Sequence, residues 1–287
     1  MNTVLDDRRC DLGEGPLWHP EREQLFWFDI LNRRLLSRTE EGPQEWHFGE
    51  MVSAAGWVSR DELLVASERR LFRFNLITGA KSTVATLESE ETGTRSNDGR
   101  ADPQGGFWIG TMGKRGGDDP GMGSIHRLYR GELRKIYRNI TIPNSIAFTP
   151  DGKWACFSDT VTHKVMRVAL DGEGWPKGEP EMFLDFTRQK LLPDGAVFDR
   201  NGVFWVAQWG ASRVAAYGPD GGFVRELRFD ARQTSCPAFG GPDLSTLFCT
   251  SALQGMSPEA RDAEPDGGKT FRVDGVAQGQ REHRVIL

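Results

Sequence analysis

Short segments with a common order of residues recur along this chain, and this repeat constrains the fold more than any other feature of the sequence. Four segments begin at Glu14, Asn97, Asn144 and Asp194. Three of the four have proline six residues after the start, three have glycine eight residues after it, and three have an aromatic residue ten residues after it. Agreement at several offsets indicates a repeated structural unit.

Each unit has the composition of two short strands joined by a tight turn. Proline fixes φ and glycine accepts positive φ, so proline and glycine two positions apart favour a turn. The flanking residues are β-branched or aromatic, as is typical of strands. A second strand pair is expected to follow in each unit, for example with strands at 164–168 and 213–217.

Two weaker copies, which begin at Ser53 and Ser235, bring the number of units to six. The position four residues into each unit recurs at spacings of 39, 44, 47, 50 and 41 residues. This is the length of a four-stranded propeller blade. The sequence therefore predicts an all-β, six-bladed β-propeller with four-stranded antiparallel blades around a central axis. The alternative is an all-β sandwich with accidental similarity between its segments.

Both ends of the chain are expected to close the ring. A strand from residues 3–11 is predicted to join the last blade, with further strands near 270–273 and 281–287. No low-complexity linker divides the sequence, so residues 1–287 are predicted to form a single domain. The long 3.6-residue apolar period of helices is missing, and few helices are expected.

Composition and charge exclude several classes of partner. The chain has 36 Lys and Arg residues against 41 Asp and Glu residues, a net charge of −5, which disfavours binding to nucleic acid. The first eleven residues lack the apolar run of a secretory signal, and no apolar stretch is long enough to span a bilayer. We expect a soluble, cytoplasmic protein with neither a nucleic-acid nor a membrane partner. Nothing in the sequence indicates its oligomeric state.

The four cysteines do not form a Cys-x-x-Cys pair, and the histidines do not cluster near them. A zinc site built on thiolates is therefore disfavoured. The cysteines are expected to be reduced and mostly buried.

The residues that begin the six units are predicted to lie just before the first strand of each blade. Equivalent positions in a propeller lie at equivalent distances from the axis, so these side chains should face one end of the channel. Two carboxylates and two carboxamides at one level are costly to bury without a cation or a ligand. Their oxygen atoms suit Ca²⁺, Mg²⁺ or Mn²⁺, and zinc is possible if water completes its ligands.

The segments around these positions resemble the signature blocks of the sugar-lactonase family, which includes gluconolactonase and regucalcin. The resemblance covers residues 12–251, and the blocks occur in the order found in the family. The matching segments are Leu-Gly-Glu-Gly-Pro at 12–16, Arg-Ser-Asn-Asp-Gly at 95–99, Ile-Pro-Asn-Ser at 142–145, Pro-Asp-Gly at 193–195 and Cys-Pro-Ala-Phe-Gly-Gly at 236–241.

The resemblance implies roles for five residues. Glu14, Asn144 and Asp194 would bind one divalent metal ion, which could be Ca²⁺, Zn²⁺, Mg²⁺ or Mn²⁺. Arg95 and Asn97 would contact a small sugar lactone, and Asp194 would also be the catalytic general base. Some members carry a further acidic residue that contacts substrate, but no residue of the glycine-rich loop 113–123 matches it.

These roles suggest a mechanism for opening a cyclic ester. A metal ion polarises the lactone, and Asp194 removes the proton of the attacking water and returns it to the leaving ring oxygen. The guanidinium of Arg95 suits sugar hydroxyls or the developing negative charge. The amide of Asn97 can both donate and accept hydrogen bonds. Trp209 follows the strand of the fifth blade and could face the site, but packing in the core is favoured.

Several functions remain open on the sequence alone. Gluconolactone is the first expected substrate, and a pentonolactone such as arabino- or xylonolactone is the second. A hydrolase of another ester, such as a phosphotriester or an aryl lactone, is a further possibility. A non-enzymatic calcium-binding regulatory propeller is the alternative from another class, because a fold does not determine a function.

Overall fold

The computed structural model describes residues 2–287 and arranges them in six four-stranded antiparallel sheets. The prediction of a six-bladed β-propeller with four-stranded antiparallel blades is confirmed. One short helix, α1 (Pro258–Ala263), lies in the last blade. In chain order the strands are β1 (Thr3–Asp6), β2 (Gly13–His19), β3 (Gln24–Asp29), β4 (Arg34–Thr39), β5 (Gly42–His47), β6 (Val52–Ser59), β7 (Glu62–Ser67), β8 (Arg70–Asn75), β9 (Lys81–Thr86), β10 (Thr94–Ala101), β11 (Phe107–Gly113), β12 (Gly123–Tyr129), β13 (Glu132–Ile140), β14 (Pro143–Phe148), β15 (Trp154–Asp159), β16 (Lys164–Leu170), β17 (Pro176–Asp185), β18 (Leu192–Phe198), β19 (Phe204–Trp209), β20 (Arg213–Tyr217), β21 (Phe223–Arg228), β22 (Thr234–Gly240), β23 (Thr246–Ser251) and β24 (Thr270–Val273).

Five blades use four consecutive strands each, and the sixth takes its outer strand from the start of the chain. The first five sheets have the orders β2-β3-β4-β5, β6-β7-β8-β9, β10-β11-β12-β13, β14-β15-β16-β17 and β18-β19-β20-β21. In the sixth sheet, β22-β23-β24 is completed by β1, which pairs antiparallel with β24. The two ends of the chain are thus hydrogen-bonded to each other within one blade.

The hairpins that open blades three and five are each stabilised by an aspartate that follows the innermost strand. The carboxylate of Asp102 accepts two N–H groups of the turn and the indole N–H of Trp108, the latter at 3.1 Å. Asp199 makes the same set of bonds, with the indole of Trp205 at 3.1 Å. In both units the aspartate five residues after the start is therefore bonded to the tryptophan eleven residues after it, and its carboxylate also accepts from N–H groups that a tight turn leaves without backbone partners.

Apolar side chains fill the space between neighbouring blades. Six buried clusters occur, one at each junction of two sheets. Phe26 and Phe72 belong to the cluster between blades one and two, and Trp18 packs on Phe248 with ring centroids 5.6 Å apart between blades one and six. Each cluster needs both of its blades, so burial of apolar surface favours the closed ring.

All four cysteines are buried and free, as the sequence predicts. In residues 2–287 no helix has the length and apolarity needed to cross a membrane.

The predicted strand at 281–287 is wrong. Blade six already has β1 as its fourth strand, so residues 278–287, here called the C-terminal strap, lie across the end of the axis where the innermost strands finish. The strap makes isolated contacts with several blades: the amide of Gln280 donates to the carbonyls of Phe148 and Phe198 at 3.2 and 3.1 Å. Glu282 forms a buried ion pair with Arg100 of β10. The strap therefore closes this end of the channel.

Loss of this buried ion pair should weaken the fold. Glu282→Ala leaves the guanidinium of Arg100 buried without a counter-charge, and such losses cost about 3–5 kcal/mol of unfolding free energy. Chemical denaturation monitored by tryptophan fluorescence measures this cost. The double variant Arg100→Met/Glu282→Ala should lose less, since no charge is left buried. An equal loss in both variants would show that strap packing, not the ion pair, is responsible.

A second prediction concerns acid sensitivity at the junction of blades two and three. His126 on β12 is buried, with its Nε2 atom 3.6 Å from the Glu88 carboxylate. Burial lowers the pKa of His126 to about 4, Glu88 opposes this change, and Lys135 and Arg138 add to it. The imidazole is therefore neutral in the folded state. The unfolded chain binds a proton at this group near pH 6.5, so stability is fully present above that pH and falls as the pH approaches 4.

Replacement of His126 by Gln should flatten this part of the stability profile. The expected contribution of the histidine is a slope of at most about 1.4 kcal/mol per pH unit between pH 6 and pH 4.5. Unfolding free energies of both proteins across this range test it. Parallel profiles for wild type and variant would contradict the assignment.

Candidate functional site

The residues that begin the six repeats lie at β-bulges of the innermost strands. Their predicted place just before each first strand is wrong, because the strands extend past them and the pairing with the second strand becomes irregular there instead. A bulge leaves residues out of the ladder and redirects their side chains. The irregularities fall at 14–17, 52–54, 96–99, 144–147, 193–196 and 234–237.

Four of the six repeats direct polar side chains into one cavity at the axis, where the innermost strands begin. Glu14, Arg95, Asn97, Asn144 and Asp194 all line this cavity, whose volume is about 380 Å³. All five residues predicted from the sequence are thus brought together, although they come from four different blades. The cavity is within the range of about 300–1,000 Å³ that small-molecule sites occupy.

The serines that begin the other two repeats are buried and bonded to neighbouring hydroxyls. The Oγ atom of Ser53 donates to Ser96 Oγ at 2.8 Å, and Ser235 shares a hydrogen bond with Thr250 Oγ1 at 2.8 Å. Equivalent positions in the repeat therefore divide into cavity-lining residues and residues that hold adjacent strands together.

The two carboxylates of the cavity are held where negative charge is costly. Glu14 is 7% exposed and Asp194 is 4% exposed. Burial raises the pKa of Glu14 to about 8, and repulsion from the nearby Asp98 adds to the effect. Burial, then Glu14, then Asp98 raise the pKa of Asp194 well above its ordinary value. Arg95 opposes both changes without cancelling them, so the cavity favours a bound cation.

A chain of hydrogen bonds fixes the orientation of both amides. The guanidinium of Arg95 donates to Asn97 Oδ1 at 2.8 Å, and Asn97 Nδ2 donates to Asn144 Oδ1 at 3.0 Å. Asn144 Nδ2 donates to Thr160 Oγ1 at 2.8 Å, and this hydroxyl donates to the carbonyl of Pro193 at 2.8 Å. This series of hydrogen bonds begins at the Arg95 guanidinium, which can only donate, and ends at the Pro193 carbonyl, which can only accept. Each amide in the series therefore has a single consistent orientation.

The donor set suits a hard divalent cation. Glu14 and Asp194 provide carboxylate oxygens. The NH₂ group of Asn144 is bonded to Thr160, and its amide oxygen, which accepts one hydrogen bond from Asn97, has a second lone pair for a cation. Oxygen donors of this kind bind Ca²⁺, Mg²⁺ and Mn²⁺, and Zn²⁺ with fewer ligands. Across residues 2–287 no three His, Cys, Asp or Glu side chains are grouped for a metal ion, because one of these three donors is an amide.

The edge of the cavity is formed by the loop after β11. Lys114, Arg115 and Gly116 line the cavity, and no acidic residue of this loop does. Lys114 Nζ lies 2.5 Å from Glu68, and Arg115 Nε lies 2.8 Å from Asp119, a bond that ties the loop to itself. The loop in which no residue matches the family's acidic contact thus brings basic side chains to the site.

Several further residues line the cavity that the repeat does not indicate. Thr160 lies in a 3₁₀ turn directly after β15, outside the repeat positions, and nothing in the spacing marks it. Gln254 follows β23 in the same way. Trp209, which was expected in the core, packs against a buried cluster and also lines the cavity. Thr160 and Gln254 follow the second strands of their blades and Trp209 ends one, so the ends of these strands were the available signal.

Six blades around an axis, with buried carboxylates and an oriented amide at one end, define a propeller that presents a polar, cation-favouring cavity. Residues 12–253 match the profile of the SMP-30/gluconolactonase/LRE-like region. The chain belongs to the SMP-30/gluconolactonase/LRE-like family, as the resemblance seen in the sequence implies.

Individual relatives match along almost the whole chain. A Rhizobium meliloti protein with the provisional name sugar lactone lactonase is 40% identical over 97% of this chain and 95% of its own length. The L-arabinolactonase of Azospirillum brasilense is 34% identical over 94% of this chain and 90% of its own. The crystal structure of a calcium-binding protein, regucalcin, from Agrobacterium tumefaciens superimposes with a TM-score of 0.97 at 39% identity, covering 100% of this chain and 98% of that one.

Proposed function

We propose that this protein is a lactonase that hydrolyses an aldonolactone to the aldonic acid with one divalent metal ion. The observation that carries the proposal is the convergence of Glu14, Asn144 and Asp194 on one buried cavity that also contains Arg95 and Asn97. Lactonases among the relatives support the reaction class, and the calcium-binding relative supports a divalent ion. Gluconolactone is the first substrate to test, and pentonolactones are the second.

The side chains of the cavity divide the work of ester hydrolysis. A divalent ion held by Glu14, Asn144 and Asp194 would supply a positive charge that polarises the carbonyl and acidifies water. The carboxylate of Asp194 takes a proton from the attacking water and delivers it to the ring oxygen as the C–O bond breaks. The buried guanidinium of Arg95 donates to the substrate oxygen on which negative charge develops.

The remaining lining residues fit a monocyclic polyol. The Oδ1 atom of Asn97 accepts from Arg95, and its Nδ2 atom donates to Asn144 and to the Pro143 carbonyl. Asn97 therefore aligns Arg95 and the candidate metal ligand Asn144, and it also faces the substrate. Ile142, Leu192 and Trp209 give the cavity an apolar side on which the C–H face of a sugar ring can pack. This mixture favours a small hydroxylated lactone over a large aryl ester.

Replacement of the proposed base tests the reaction. Asp194→Ala should lower kcat for gluconolactone opening by about 10²–10⁴-fold or more, the usual contribution of a general base. A pH-indicator assay of acid release measures turnover. Ser53→Ala is the matched control, because it removes a buried hydroxyl at the equivalent position of blade two that does not line the cavity. Near-native turnover of Asp194→Ala, or an equal loss in Ser53→Ala, would contradict the proposal.

Metal removal tests the cofactor. Exhaustive chelation should reduce lactone opening to the uncatalysed rate, and Ca²⁺, Mn²⁺, Mg²⁺ or Zn²⁺ should restore it to different extents. At a concentration of 100 times its Kd, the ion should stabilise the fold by about 2.7 kcal/mol. Glu14→Gln should lose most of this stabilisation. Activity that survives chelation would exclude the metal role.

Metal-dependent stabilisation, measured together with lactone opening, distinguishes an enzyme from a non-enzymatic calcium-binding protein. The regucalcin structure favours this alternative. A protein that is stabilised by Ca²⁺ but opens none of a panel of hexono- and pentonolactones would favour that alternative.

A further inference from the structure

Thr160 connects two of the candidate metal ligands without being one of them. Its hydroxyl accepts from Asn144 Nδ2 and donates to the carbonyl of Pro193, the residue before Asp194, both at 2.8 Å. We propose that Thr160 is a positioning residue, which keeps the Asn144 amide oxygen turned to the cavity and holds the Asp194 strand in register with it. The inference rests on the proposed metal site.

The direction of the hydrogen bonds makes this hydroxyl difficult to replace. A hydroxyl has one proton, and Thr160 gives it to a carbonyl that cannot donate. Its oxygen must therefore accept from Asn144, and only the NH₂ end of the amide can donate. From the other side, Arg95 occupies Asn97 Oδ1, so Asn97 presents its NH₂ group to Asn144 Oδ1. The amide is thus constrained at both ends.

Without the hydroxyl, the Asn144 amide loses one of these constraints. Its NH₂ group would be left without a partner in a residue that is 3% exposed, a costly arrangement. The amide can then rotate, and rotation would direct N–H donors instead of an oxygen at a bound cation. A cation binds an amide through its oxygen, so each rotated molecule has one ligand fewer.

The bond to Pro193 gives Thr160 a second effect on the same site. Ser145, the residue after Asn144, donates its hydroxyl to the carbonyl of Asp194 at 2.6 Å. Two hydroxyls of blade four therefore bind consecutive carbonyls of blade five, on either side of the Asp194 Cα atom. The distance between the Asn144 and Asp194 side chains is thereby set by contacts between blades and does not depend on one strand alone.

Side chains that orient metal ligands typically contribute 10–100-fold to metal affinity. We expect Thr160→Val, which keeps the size and β-branching of the side chain but removes its hydroxyl, to weaken Mn²⁺ binding by a factor in this range of about 10–100. Thr160→Ser retains the hydroxyl and should bind Mn²⁺ within about threefold of wild type.

Isothermal titration of the metal-free protein with Mn²⁺ measures the affinities directly, independently of activity. Thr162→Val is the matched control, because that hydroxyl lies in the same turn and donates to the Asp159 carbonyl at 2.7 Å outside the cavity. Thermal unfolding of the metal-free variants reports any general loss of structure. In an Asn144→Ala background, Thr160→Val should cause a smaller loss of Mn²⁺ affinity than in wild type, because the amide it orients is already gone and only the bond to the Pro193 carbonyl is still lost.

Selective loss in Thr160→Val, recovery in Thr160→Ser and a smaller additional loss in the Asn144→Ala background than in wild type would support the inference. Wild-type affinity in Thr160→Val would overturn it, as would an equal loss in Thr160→Ser or Thr162→Val. If wild type itself does not bind Mn²⁺, Ca²⁺ or Zn²⁺, the proposed metal site fails, and the inference fails with it. Metal binding by wild type that Thr160→Val leaves unchanged overturns the inference alone.

Discussion

Closure of the ring is the constraint on which the site depends. Glu14 and Asp194 are 180 residues apart in the chain, and they meet because every blade contributes an innermost strand to the same axis. The pairing of β1 with β24 and the bridge between Leu12 and Ala252 complete this closure. Leu12 also lines the cavity. The bridge at Leu12 therefore lies two residues from a candidate metal ligand, and opening the ring there would displace Glu14.

Buried charges are paired at one end of the axis and repel each other at the other end. At the strap end, Arg100 and Glu282 form an ion pair, so their charges neutralise each other and the pair has a structural role. At the cavity end, Glu14 and Asp194 repel each other, and burial raises the pKa of both. Such an arrangement lowers the stability of the metal-free fold. Functional sites often have such a cost in stability, and here the buried negative charge would serve to bind a ligand.

The sequence was sufficient for the fold class and for five residues that line the cavity, but not for the remaining lining residues or for the links between them. The repeat identified the six blades because turns and strand alternation are local properties of the sequence. The cavity position of Glu14, Asn97, Asn144 and Asp194 followed from their shared register. Thr160 could not be found in this way, since its contacts are to β14 and β18 and its position has no counterpart in the repeat.

The ends of the chain show a second limit. Residues 281–287 end in the apolar residues Val285, Ile286 and Leu287, which are compatible with a short strand, but β1 occupies the outer edge of blade six. The segment therefore satisfies its N–H groups one at a time, with Val285 donating to the Trp57 carbonyl and Ile286 to the Gly105 carbonyl. Which of two competing segments pairs with an edge depends on tertiary geometry, and local sequence does not determine it.

The use of an amide as the third donor has an electrostatic consequence. Glu14, Asp98 and Asp194, when ionised, carry three negative charges, and Arg95 contributes one positive charge to the same region. A divalent cation would bring this group to neutrality. A third carboxylate at Asn144 would leave an excess negative charge beside the bound ion and reduce the attraction that polarises a substrate carbonyl. The amide donates an oxygen without adding charge, and the hydrogen-bond chain from Arg95 to Pro193 keeps that oxygen in place. The chemistry proposed for the cavity therefore depends as much on neutral groups with a fixed direction as on the charged groups that the sequence makes conspicuous.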